Sequence, residues 1–166
     1  MTSVNKTLLI SAFCALAFYS YGTAMMDYFV AYPSRALMGV PNFVTYHALH
    51  EQRMIPEHII PFLLLTILNG LIIWKRPAGI SGWLLWVSLV CLLIDWLLML
   101  FVPMSATLPS TLPEEQGHTL MRLVIDTNNG RILLESVHTV LAFIMLCQHA
   151  IYGINQRLTD QPVGSH

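Results

Sequence analysis

The chain has 166 residues, of which 55% are hydrophobic and only 10% charged. A soluble domain carries about 25% charged residues, so the composition points to lipid as the solvent, and the length points to a single domain. The formal net charge of −1 supplies no basic field for nucleic acid and excludes that partner class. Cys14, Cys91 and Cys147 are scattered through apolar runs with no CxxC pair and read as small packing residues.

Four apolar stretches are long enough to cross a bilayer, which takes about 20 residues at 1.5 Å per residue. They cover approximately residues 7–30, 56–74, 80–102 and 131–152, followed by a polar tail over 154–166. Backbone polar groups cannot face hydrocarbon unpaired, so each stretch is expected as a helix. The expected fold is all-α, an integral membrane four-helix transmembrane bundle forming one domain over residues 1–166. Lys6, the apolar run after it and Gly22-Thr23-Ala24 also have the layout of a cleavable signal peptide. The apolar character continues through Met25, Met26 and Tyr28 to Val30, which suits a retained helix better.

Spans two and three are joined by the tight basic turn Lys75-Arg76-Pro77-Ala78-Gly79. The other connections are longer. Residues 31–55 hold Pro33, Pro41, Arg35, Arg53 and a histidine cluster. Residues 103–130 hold Pro103, Pro109 and Pro113, after which Glu114 and Glu115 start a short amphipathic helix expected to end near Asp126. Lys and Arg divide four and four between the two sides. The short basic turn beside two spans favours a cytoplasmic N-terminus and C-terminus, in the inner (plasma) membrane of a bacterium. Trp74, Trp83 and Trp86 flank that turn as an aromatic belt.

The few ionisable residues are unevenly placed. Eight of the nine acids, all except Asp160, fall in the extracytoplasmic half or beyond it, as do His47, His50, His58, His118 and His138. Asn128, Arg131, Glu135 and His138 are spaced i, i+3, i+7 and i+10, on one helical face. Lipid would not tolerate such a stripe, so it must face the other helices. Ser81, Ser88 and Asp95 form a second stripe at heptad spacing; His58 opens span two on the side of Thr66 and Asn69; Asp27 closes span one. Four helices thus place ionisable groups in one slab and imply a polar pocket near the outer surface. His149 reads as an interfacial histidine.

Two chemistries fit that pocket. Glu135-x-x-His138 has the spacing that brings a carboxylate and an imidazole to one metal ion. With His47, His50, Glu51 and His58 it offers nitrogen and oxygen ligands suited to iron, copper or zinc. The alternative is a salt-bridge network in which Arg131 pairs Asp95 or Glu135 and makes their burial tolerable.

The whole layout resembles the anthrone-oxygenase-like family of small four-span membrane proteins. The likeness is carried by Phe29-Val30-Ala31-Tyr32-Pro33 at the end of span one, by Val102-Pro103-Met104-Ser105 with Leu108 at the exit of span three, and by Asn128-x-x-Arg131 opening span four. Members often carry Asn around Pro103, where this chain has Phe101 and Ser105, and a tryptophan just before Asn-x-x-Arg, where this chain has Ile125 and Asp126. The resemblance implies a monooxygenase that oxygenates a small hydrophobic, aromatic substrate. On that expectation the catalytic candidates are His58, Asp95, Asn128, Arg131, Glu135 and His138. Asn128 and Arg131 would hold an oxyanion, His58 or His138 would move protons, and Glu135 and Asp95 would orient them or bind the metal. The expected partners are the bilayer, the hydrophobic substrate and, as one option, a second copy of the chain in a homo-oligomer. The competing function class is non-enzymatic: a small membrane subunit or lipid-binding protein whose polar layer fixes helix register.

Overall fold

The computed structural model describes residues 3–31, 33–34, 49, 52–105 and 114–160. Among these there is no strand. Four helices are long and apolar enough to cross a membrane, over Asn5–Ala31, Gln52–Lys75, Gly82–Leu100 and Ile125–Thr159. We label them α1 (Ser3–Met26), α2 (Ile60–Lys75), α3 (Gly82–Ser105) and α4 (Glu114–Thr159).

Each helix packs on the next, and α4 closes back on α1, so the four form a ring in chain order. The residue pairings require alternating directions. The end of α1 meets the segment that opens α2, through Asp27 and His58, and the start of α1 meets the end of α4, through Thr7 and His149.

The surface is apolar and the interior holds much of the polarity. Leu63, Leu64, Ile67, Val90, Leu93, Leu97, Leu133, Val140 and Phe143 are exposed, whereas Ser20, Asn69, Ser88, Asp95, Asn128, Glu135, His138 and Thr139 are buried. A protein folding in water would pay heavily for that exposed surface and leave those interior groups without solvent. A bilayer reverses the preference, because lipid tails welcome the outer face and only the helix interior offers hydrogen-bond partners. The arrangement fits an integral membrane protein.

Two helix ends depart from α geometry. Asp27–Ala31 continues α1 as a π-helical turn, and Ile55–Ile59 leads into α2 as another. Proline accounts for the second. The Pro61 ring would collide with the carbonyl four residues back, at Glu57, in a regular α-helix. The wider turn, with the Ile60 N–H bonded to the Ile55 carbonyl, makes room for it.

The α2–α3 turn is tight. Arg76 is left-handed (φ 39°) and its N–H caps the Ile72 carbonyl at 2.9 Å. Pro77 then prevents the helix from continuing. Gly79 has φ 87°, and a Cβ added there would overlap the Tyr152 side chain. This close approach seats the turn on α4.

One expectation is corrected. The short helix from Glu114 does not end near Asp126 ahead of a separate span; it runs on as one helix of 46 residues. Thr127, Asn128, Asn129 and Gly130 are weak helix formers and suggest a break. Tertiary packing overrides them. Asn128 is buried, Gly130 lies beside Leu98, and Thr127 Oγ1 donates to the Leu123 carbonyl at 2.7 Å.

Candidate functional site

Both polar stripes read from the sequence face inward. Asn128, Glu135 and His138 on α4 and Ser88 and Asp95 on α3 are all buried. Arg131 is mostly covered, with its side chain 12% exposed. Their partners sort them into two tiers: Asp95 and Ser88 lie seven residues apart on α3, as do Arg131 and His138 on α4, roughly 10 Å of rise, while Glu135, three residues before His138, bonds back to Arg131.

The outer tier is ionic. Arg131 Nε donates to Asp95 Oδ1 at 2.8 Å, and Arg131 Nη2 donates to Glu135 Oε1 at 3.5 Å. Ser20 Oγ, from α1, donates to Glu135 Oε2 at 3.5 Å. Beside this group, His58 Nε2 lies 3.4 Å from Asp27 Oδ2. Each member of that pair sits in one of the two π-helical turns. Widened turns recur at functional sites because the extra residue re-aims side chains. Here they direct Asp27 and His58 at one another across the α1–α2 interface.

The inner tier is neutral in composition. Asn69 Nδ2 donates to Ser88 Oγ at 2.6 Å, and Ser88 Oγ pairs with His138 Nδ1 at 2.9 Å. Phe13 holds the imidazole edge-on, with ring centroids 5.5 Å apart. Apart from both tiers, Trp96 Nε1 donates to Thr66 Oγ1 at 3.0 Å between α3 and α2.

Among the described residues, four buried polar atoms of this layer have no protein hydrogen-bond partner: Asn69 Oδ1, Asp95 Oδ2, Asn128 Nδ2 and His138 Nε2. Buried polar groups are nearly always paired with protein or ordered water. These two acceptors, one amide donor and one imidazole nitrogen, spread over the two tiers, are therefore positions for such a partner. They can hold water, or the polar end of a bound molecule.

A cavity of about 410 Å³ opens at the outer end, bordered by Asp27, Ser34, Arg53 and Glu57 with Met26 and Val30. Asp27, which pairs with His58, is part of its wall. Beyond His138 the face turns apolar for about two turns. The inward positions of α4 become Leu141, Ala142 and Met145, clustered with Ile10, Phe13, Ile72, Leu84 and Leu85.

Of the six catalytic candidates, Asp95, Arg131 and Glu135 are in one network, His58 pairs with Asp27, and Asn128 and His138 each carry a buried nitrogen without a partner. Of the metal-ligand candidates, His47, His50 and Glu51 lie outside the described residues. Glu135 turns to Arg131 and Ser20, while His138 turns to Ser88 in the other tier, so the Glu-x-x-His spacing does not bring the two to one point. Among the described residues no group of three or more His, Cys, Asp or Glu side chains is placed to hold a metal ion.

Ser20 is a site residue that the sequence reading passed over. The signal was present: Phe13, Ser20 and Asp27 follow one another at seven-residue intervals, and all three touch the polar layer. Gln148 was missed as well. It lies ten residues beyond His138 on the same face and accepts the Ser81 N–H at 3.0 Å. His149 bonds Thr7 Oγ1 and the Ala78 carbonyl, both at 3.2 Å, at the opposite end of the bundle from Asp27.

No protein-family model, curated protein or solved structure matches the chain.

Proposed function

We propose that this protein is a membrane-embedded oxidoreductase of the oxygenase type, acting on a small hydrophobic aromatic substrate in the extracytoplasmic half of the bundle. The observation that carries the reading is the set of buried polar atoms without partners around Asn128, Asp95 and His138. Buried polar groups take a partner, and here the described side chains do not supply it, so the polar end of a substrate can.

The reaction class is the one implied by the likeness to anthrone oxygenases. A ring CH₂ reacts with O₂ to give C=O and H₂O. One oxygen atom stays on carbon, and the other leaves as water with the two hydrogens. Loss of the first proton gives a phenolate-like anion, the species that reacts with oxygen. Asn128 Nδ2, with Arg131 behind it, is the donor for that oxyanion. His138, anchored through Nδ1 on Ser88, presents Nε2 to receive the proton. His58, paired with Asp27 at the outer cavity, carries protons between that cavity and the layer. Asp95 and Glu135 hold the guanidinium in place. The proposed orientation keeps both termini in the cytoplasm.

A second reading is favoured by one specific feature: Asp95 and Glu135 both bond Arg131. On that reading the layer is a structural network in a non-enzymatic membrane subunit.

The test is oxygen uptake by detergent-purified protein given anthrone-like tricyclic phenols, with iron, copper and zinc measured on the same preparation. Uptake that disappears in Asn128→Ala and His138→Ala, with unfolding unchanged, supports the oxygenase. Uptake no faster than in buffer leaves the structural network. Bound metal that persists without His138 would place any metal centre away from this layer.

A further inference from the structure

The end of the bundle that carries the α2–α3 turn holds a second cavity, of about 610 Å³. Its border includes Lys6 and Thr7 from α1, Ala78 from the turn, and His149, Gln156 and Arg157 from α4. The walls are tied together. His149 bonds Thr7 on one side and the Ala78 carbonyl on the other, so three parts of the chain are clasped around one space. The volume falls within the range of about 300–1,000 Å³ usual for small-ligand sites. The apolar cluster around Leu141 and Met145 separates it from the polar layer.

Its charge is net positive. Lys6 and Arg157 border it from different helices, and among the described residues no ion pair engages either of them. Asp160 is the one acid on the border, and Lys75 and Arg76 lie in the adjoining turn. Depth is set by the aromatic residues. Trp74, Trp83 and Trp86 are exposed around the same turn, and Lys75 Nζ lies 4.0 Å above the Trp74 ring. Exposed tryptophans and lysines at this position mark the headgroup level of a bilayer. Leu8, exposed on the border of the cavity, supplies an apolar wall toward the lipid.

We propose that this cavity binds an anionic phosphate group, supplied as the phosphodiester headgroup of a membrane lipid. Lys6 and Arg157 meet the phosphate oxygens, Gln156 and the Thr7 hydroxyl border the polar part of the headgroup, and the acyl chains leave past Leu8 into the bilayer. Basic recesses between transmembrane helices are suited to such headgroups, each cation contributing to the attraction. The site does not depend on the proposed oxygenase activity.

The experiment titrates full-length protein in nonionic micelles with dioleoyl phosphatidylglycerol, dioleoyl phosphatidylcholine or sodium phosphate, following tryptophan fluorescence and retained lipid by native mass spectrometry. Wild type is expected to retain phosphatidylglycerol in preference to phosphatidylcholine. The Lys6→Gln/Arg157→Gln double variant should lose roughly tenfold to thirtyfold in affinity. Lys6→Arg/Arg157→Lys should keep most of it, and Arg122→Gln at the far end of α4 should keep all of it. Equal retention of the two lipids, or an unchanged affinity in a double variant whose circular dichroism matches wild type, overturns the site. Binding of free phosphate without any preference for phosphatidylglycerol overturns the lipid as its source.

Discussion

Arg131 Nε meets Asp95 Oδ1 at 2.8 Å across the α3–α4 interface, with the Asp95 side chain 1% exposed. The guanidinium is the nearest compensation for that carboxylate and for Glu135 one turn along α4. Removing one partner of a buried pair costs about 3–5 kcal/mol, because the other charge is left uncompensated. Arg131→Ala is therefore expected to lower stability by about that amount in mixed-micelle unfolding. Adding Asp95→Asn should restore a large part of the loss. Additive effects of the two changes would show that the pair is not coupled.

The inner tier separates stability from activity. Ser88 Oγ lies between Asn69 Nδ2 and His138 Nδ1. Ser88→Ala strands both nitrogens in the interior and should cost about 1–3 kcal/mol. His138→Gln keeps a polar group of similar reach and should change the unfolding midpoint much less. If His138 moves the substrate proton, the same variant should slow oxygen uptake by about 10²–10⁴-fold. Unfolding curves and uptake rates measured on one preparation read both effects.

The π-helical turn before α2 predicts a geometric consequence of losing its proline. With alanine at position 61 the turn can relax to α geometry. One residue of helix corresponds to about 100° of rotation. Pro61→Ala should turn His58 away from Asp27, and the coupling between Asp27→Asn and His58→Gln in a double-mutant cycle should vanish. A coupling preserved in the Pro61→Ala background would mean that the turn is not held open by proline.

Glycines at two positions should respond in opposite directions. Gly79 is left-handed, and its added Cβ would overlap Tyr152, so Gly79→Ala should cost about 2 kcal/mol or more. Gly70 lies inside α2 with nothing within 4 Å of an added Cβ. Gly70→Ala should add roughly 0.5–1 kcal/mol through helix propensity alone. Thermal unfolding in detergent compares the two directly.

Periodicity made much of the architecture and half of the site legible. The spacing of Asn128, Arg131, Glu135 and His138 determined that these residues share a face, and the cost of polar groups in lipid determined that the face points inward. The same reasoning placed Ser88 and Asp95 opposite them. It also produced the false break after Asp126, because four weak helix formers in a row look like a boundary when their packing is unknown.

What a single helix cannot reveal is which of its inward groups meets which group on another helix. The Glu-x-x-His spacing put Glu135 and His138 on one face and suggested one shared ion. The Arg131–Glu135 pairing was legible on α4 itself, but only the assembled bundle supplied Ser20 to Glu135 and Ser88 to His138, in separate tiers. The Asp27–His58 pair depends likewise on two widened turns meeting across an interface. The sequence by itself determined facing and position along each helix, since both follow from helical geometry and the cost of burying charge. Only the tertiary structure decided the partners, since hydrogen bonds act over about 3 Å and helix spacing in sequence does not define distances that short.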